Sequence, residues 1–278
     1  MKNKVKALFL SSLLLSGSTF ACSDIFINKN NHHVEGRTLD FLVNVATDKY
    51  IGYVGQNNTT DIIIDSDKIP QNKITSWKNK YGFLGMQAFN GGNMVDGMNT
   101  KGLSFSALYL QGTKYPNYNA SDNKPVIGVY DLGNYILSEA SNVDDALKLL
   151  KSHQVVNSAI SAGNGKYIKN LPLHYVIRDK TGHSAVIEFI DGKMKIYENA
   201  GNTLTNGPTY NWQLNNENSY SYLTSTPKKM NQSAEEQVHN YKTVYNHSLP
   251  LNAGLLGMPG DYTSPSRFVR GTTLLNSL

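Results

Sequence analysis

The sequence predicts an α+β fold, and three observations predict it. Short apolar runs bounded by Asn, Gly, Asp and Lys clusters fill the first half of the chain. Two helical stripes follow one another near its middle, and three alternating runs separated by tight-turn signals come next. Strand-like and helix-like stretches that are grouped in this way belong to an α+β domain.

Taken in order, the first 21 residues stand apart. Three lysines lie within residues 1–6, an apolar run covers 7–15, and residues 16–21 are small and polar apart from Phe20. This is the layout of a secretory signal peptide, with Thr19 and Ala21 at the −3 and −1 positions of its cleavage site. The run is too short for a membrane span, which takes about 20 residues. Cleavage after Ala21 makes Cys22, the one cysteine of the sequence, the first residue of a single mature domain over 22–278.

Residues 22–28 read as a strand, Asn30 and Asn31 as a turn, and 33–41 as the returning strand. The segment 41–48 is by position a candidate substrate-pocket loop. Further strands are expected at 50–55, 61–65, 74–77, 83–88 and 102–110. Val129, Leu132, Ile136 and Ala140 share one helical face; Val143, Ala146, Leu147 and Leu150 share another, with Ser141 or Asn142 as the cap. Residues 157–170 read as a surface loop, and 173–179, 184–190 and 193–198 as a meander of three antiparallel strands. Residues 213–231 are polar and read as an exposed excursion, 235–245 as a short helix, and a last helix starts near Ser264.

Chemistry centres on Cys22. At a new N-terminus its thiol stands beside a free α-amine whose unperturbed pKa of about 7.7–8.0 lets it accept and return a proton. One residue then holds both nucleophile and base, as an N-terminal threonine does. Two other readings stay open. A lone cysteine is often a small buried apolar residue, and a lipoprotein cysteine would carry an acylated amine, although Phe20 and Thr19 fit that processing poorly. The hairpin brings Arg37 and Asp40 back beside Cys22, where a guanidinium favours the thiolate and a carboxylate holds the amine.

At this point the chain resembles the choloylglycine hydrolase family, the bile salt hydrolases and penicillin V acylases of the N-terminal nucleophile hydrolase superfamily. Four motifs in order carry the resemblance: Cys22 with the Gly36-Arg37-x-x-Asp40-Phe41 hairpin end, the stretch from Asp96 to Tyr109, Leu204-Thr-Asn206-x-Pro208, and Gly257 to Phe268. The resemblance implies a four-layer αββα sandwich of two antiparallel sheets. It also implies that the backbone N–H of Tyr109 and the side chain of Asn206 form an oxyanion hole, and that Arg267 is the active-site arginine, with Arg270 as runner-up. No metal or organic cofactor is implied; a homotetramer is. The substrate is a small linear amide: Tyr109 leans toward penicillin V, the exported location suits an N-acyl homoserine lactone, and conjugated bile salts are the alternative. Family members continue well past the Ser-Arg-Phe motif, so the expectation includes a sandwich incomplete at the C-terminus. A catalytically silent exported protein is the competing reading.

Composition narrows the field further. Of the formal charge of +5, three lysines lie in the leader, so charge gives no nucleic-acid footprint. One cysteine excludes an intramolecular disulfide, and no second long apolar run follows the leader, so the mature chain is expected in the periplasm or outside the cell. Seven histidines show no metal-site spacing, and His174, inside an expected strand, reads as a core residue.

Overall fold

The computed structural model describes residues 22–40, 46–60, 68–88, 92–162, 166–223 and 254–278. Its main strands are β1 (Ser23–Lys29), β2 (His32–Thr38), β3 (Ala46–Gly52), β4 (Phe83–Ala88), β5 (Asn93–Asn99), β6 (Ser104–Tyr109), β7 (Leu173–Arg178), β8 (Ser184–Ile190), β9 (Lys193–Glu198) and β10 (Thr203–Thr205). Its helices are α1 (Leu132–Glu139), α2 (Val143–Ser152), α3 (Tyr210–Asn218) and α4 (Ser264–Asn276).

The strands form two main antiparallel sheets. One has the order β10-β1-β2; the other runs β9-β8-β7-β6-β5-β4-β3. The first is built on the expected hairpin. Asn30 and Asn31 both take left-handed backbone, with φ of 53° and 59°, the conformation a two-residue hairpin turn requires and asparagine tolerates. That turn sets the register from Lys29 opposite His32 back to Ser23 opposite Thr38. The meander closes the other sheet as expected, turning at Asp191 and Gly192, both with positive φ.

Strand alternation decides what each face meets. On one face of the larger sheet Phe105, Ala107, Tyr175, Ile177, Ile187 and Phe189 join Leu132, Ile136, Leu137, Val143 and Leu147 of α1 and α2 in one apolar core. Each fully buried Val, Leu, Ile or Phe among them contributes roughly 1.5–3 kcal/mol. The opposite face turns Ser104, Ser106, His174 and Arg178 toward the smaller sheet, whose Asp24 and Phe26 are buried while Ile25 and Ile27 are exposed. Beyond that sheet α4 rests on β10, with Gly271 so near Thr203 that a Cβ there would come within 2.8 Å of its side chain. The layers therefore run helix, sheet, sheet, helix: an αββα sandwich.

Several local readings need correction. No strand is expected between 88 and 102, but Asp96 and Gly97 lie within β5, and the turn falls at 100–102 where Gly102 has φ of 81°. Gly85 of β4 faces Gly97 across the ladder, and a Cβ on Gly85 would run into the Asp96 carbonyl. In β5 itself a Cβ on Gly97 would lie 2.9 Å from the Leu137 side chain and 3.0 Å from the Leu84 carbonyl, and a glycine at such a place hides the strand from a reading based on β-branched residues. The 157–170 loop contains a short ribbon, Ala159–Ser161 against Tyr167–Lys169, with Ser158, Ala159 and Ile160 buried. Gln213, placed in an exposed excursion, is 1% exposed within α3. Asn142 is the cap of α2, its side chain accepting the Asp145 N–H at 2.9 Å. The expected elements at 61–65 and 235–245, and most of the 41–48 loop, lie outside the described residues. Among the described residues no helix is long and apolar enough to cross a membrane.

Candidate active site

Cys22 stands at the head of β1 on the side that faces the larger sheet, 2% exposed, in a cluster with Leu108, Val176, Leu204, Tyr210 and Phe268. Its Sγ lies 3.6 Å from the main-chain carbonyl of Asp40, at the far end of the returning strand. The hairpin thus brings Asp40 to the cysteine, as its length dictates.

Arg267, in the first turn of α4, organises the surroundings. Its Nη1 donates to the Cys22 carbonyl at 2.6 Å and to Ser23 Oγ at 2.5 Å, its Nη2 to Asn206 Oδ1 at 3.0 Å, and its Nε to the Tyr262 carbonyl at 3.1 Å. Such a planar fork holds several acceptors in fixed geometry. Burial pulls its pKa down from the ordinary value, while the nearby Cys22 and Asp40 pull it up. Asn206 in turn donates Nδ2 to the Tyr109 carbonyl at 2.9 Å. A primary amide carries two N–H donors, and this bond uses one of them. Cys22, Asp40, Tyr109, Asn206 and Arg267, expected from four distant motifs, are brought together.

Arg37 is placed differently from the rest. Its Nη1 donates to the carbonyls of Val95 at 3.0 Å and Ala107 at 2.9 Å, and its Nε lies 3.2 Å from Asp96 Oδ2. The ladder between β5 and β6 ends at Asp96 opposite Ser106, and Arg37 bridges the two strands just beyond it. Its bonds run to strand ends, whereas those of Arg267 run to Cys22. Arg270, the runner-up, pins the preceding loop through the carbonyls of Pro259 at 2.7 Å and Asp261 at 2.6 Å. A cavity of about 370 Å³ opens on the Arg37 side, lined among others by Glu35, Asp96, Ser104 and Ser106; Cys22 is not part of its wall.

Sequence reasoning passed over the residues that hold Asn206 from behind. The Asn206 carbonyl accepts from Ser264 Oγ at 2.8 Å and Gln213 Nε2 at 3.3 Å. Ser264 lay inside a quoted motif without a role, and nothing in the local pattern around Gln213 signalled its burial. His174 is a core residue as read, fully buried with Nδ1 3.1 Å from Glu188 Oε1.

Two antiparallel sheets between helical layers, with a cysteine heading an inner strand beside an amide donor and an arginine, define the N-terminal nucleophile hydrolase architecture. Residues 22–277 match the family described as linear amide C–N hydrolases, choloylglycine hydrolase family, and the chain belongs to that family. It is 33% identical over 203 residues to a bile salt hydrolase/transferase of Clostridium perfringens, covering 72% of this chain and 57% of the relative. It is 28% identical over 231 residues to a penicillin V acylase of Pectobacterium atrosepticum, covering 77% and 57%. A crystal structure of a mutant conjugated bile acid hydrolase from Clostridium perfringens superposes with a TM-score of 0.68 at 26% identity, over 92% of this chain and 72% of that one. The chain thus spans little more than half the length of these curated relatives.

Proposed function

We propose that the protein is an exported amide hydrolase whose nucleophile is Cys22, freed by cleavage after Ala21. The observation that carries this reading is the bond set of Arg267 and Asn206, which ties Cys22 to the strand end at Tyr109. The Cys22 α-amine takes the thiol proton, and Sγ attacks the carbonyl carbon of a linear amide. The C=O π pair moves to oxygen, where the Tyr109 N–H and the second Nδ2 N–H of Asn206 stabilise it. Collapse breaks the C–N bond, the α-ammonium returns its proton to the departing amine, and an acyl thioester remains. Water, deprotonated by the same amine, attacks the thioester to release the acid and regenerate the thiol. Asp40 orients the amine, and Arg267 supplies the positive charge that favours the thiolate. Arg37 contributes through the Ala107 carbonyl, two residues before Tyr109, by fixing the end of β6.

For the acyl group, Tyr109 favours penicillin V, export favours a long-chain acyl homoserine lactone, and the bile salt hydrolases among the relatives make glycocholate the competitor. The test joins intact-mass analysis of the exported product with turnover of these three substrates. The expected outcome is a mass beginning at an unmodified Cys22, hydrolysis of at least one substrate, and complete loss of turnover and thioester trapping in Cys22→Ala. A blocked first amine, a different first residue, or retained activity in Cys22→Ala would overturn the reading.

A further inference from the structure

We infer that Gln213 is a positioning residue for the oxyanion donor Asn206, held to its task by the buried carboxylate of Glu188; the inference rests on the role proposed for Asn206. Gln213 Nε2 donates to the Asn206 carbonyl at 3.3 Å and to Ser264 Oγ at 3.2 Å. Ser264 Oγ donates to the same carbonyl at 2.8 Å and lies 2.8 Å from Thr205 Oγ1. With Arg267 on its Oδ1, Asn206 is fixed through main chain and side chain by the first turns of two helices.

The helix that carries Gln213 is itself anchored from the larger sheet. Its N-cap residue Thr209 makes no side-chain capping bond. Instead the N–H of Tyr210 donates to Glu188 Oε1 at 2.7 Å, and the same oxygen faces His174 Nδ1. Glu188 is fully buried on β8, so the rigid sheet fixes the start of α3, and Gln213, three residues on, delivers that position to Asn206. Gln213 is buried although its Oε1 has no partner among the described residues. An orphaned buried acceptor costs stability, so a hydrocarbon of similar length would serve packing better than glutamine does. The donor is the part that has a use. Placement matters at this scale, since a misplacement of about 1 Å can cost on the order of 10²-fold in rate.

The test uses the processed full chain and the Gln213→Met variant, which keeps length and removes the donor. In the variant kcat falls about tenfold or more with KM unchanged. Affinity for an aldehyde analogue of the substrate acyl group falls by a similar factor, because its hemithioacetal oxygen needs the same donor. Alkylation of Cys22 by iodoacetamide, which builds no oxyanion, keeps its parent rate. A merely structural role would not separate these readouts. Gln213→Glu is the second variant: its carboxyl donates only when protonated, so the ratio of its kcat to the parent's rises as pH falls. Retained aldehyde affinity and kcat in Gln213→Met, or, where that variant does not fold, a flat ratio in Gln213→Glu, overturns the inference. Asn206→Ala separates the two levels. If it leaves aldehyde affinity intact, the role of Asn206 fails; if it abolishes affinity while Gln213→Met does not, only the role of Gln213 fails.

Discussion

In one part of the layer between the sheets, Arg178 is buried against Asp24 and Glu35, its guanidinium 5.1 Å from the Phe26 ring centre. At the Cys22 end, Arg267 reaches a thiol-bearing residue and a neutral amide. The first cluster is richer in charge, yet its charges face one another: Glu35 also bonds Ser104, and burial raises the pKa of Asp24 well above its ordinary value against the pull of Arg178. The second holds Arg267, the Asp40 carboxylate that acts on it, an amide and a thiol. The difference lies in what each arginine meets: Arg178 meets carboxylates, although its Nε and Nη2 keep no partner among the described residues, whereas the bonds of Arg267 run to neutral carbonyl, hydroxyl and amide oxygens.

Breaking the first cluster has the largest expected effect. Arg178→Met leaves the buried Asp24 and the half-buried Glu35 without the cation they pair with, and removing one partner of a buried pair costs about 3–5 kcal/mol. The urea midpoint of unfolding should fall accordingly, and adding Asp24→Asn should recover part of the loss. An unchanged midpoint would mean that the cluster is solvated and that the contrast with the Cys22 end is false.

Asn206→Ala sharpens the contrast from the other side. Losing one oxyanion donor costs about 2.7–4 kcal/mol on the barrier, or 10²–10³ in kcat. The expected stability loss is smaller, since a typical hydrogen bond nets only about 0.5–1.5 kcal/mol. Rate and urea midpoint measured on the same preparation check this. A stability loss matching that of Arg178→Met with no specific loss of kcat would make Asn206 a structural residue like its counterpart.

The same contrast explains what was legible in the sequence. The hairpin, the meander, the two helices and the start of α4 announce themselves through local turn chemistry and periodicity: Asn30–Asn31, Asp191–Gly192, the Asn142 cap. The residues gathered around Cys22 were legible as a group too, because each lies in a short motif that resembles a known family. What escaped is long-range. Arg37 bonds carbonyls 58 and 70 residues away, and Gln213 is buried in a helix whose first N–H is held by Glu188 on a distant strand. Strand β5 escaped because its Gly97 answers to Leu137 of α1 and the Leu84 carbonyl of β4 rather than to its own propensity. A window of sequence carries periodicity and caps, not the identity of a partner across the sandwich.

The smallest effect expected is on pH dependence, at the residue between the two clusters. Asp96 pairs with Arg37 at 3.2 Å, yet burial outweighs that cation and pushes its pKa up to about 6. The folded state therefore binds this proton more tightly than the unfolded chain, whose carboxyl titrates near its ordinary value of about 3.9. The stabilisation linked to it is fully present below that ordinary value and is lost as pH rises through about 6. Asp24 is displaced in the same direction, so the parent's decline in stability over this range carries both groups. Asp96→Asn removes one of them, and the difference between parent and variant urea midpoints at pH 4, 5, 6 and 7 isolates it. A difference that shrinks toward low pH agrees with a carboxyl held neutral by burial. One that is flat with pH would mean that Arg37 keeps Asp96 ionised throughout, and the strand-end bridge at β6 would then belong with the self-paired charges around Arg178.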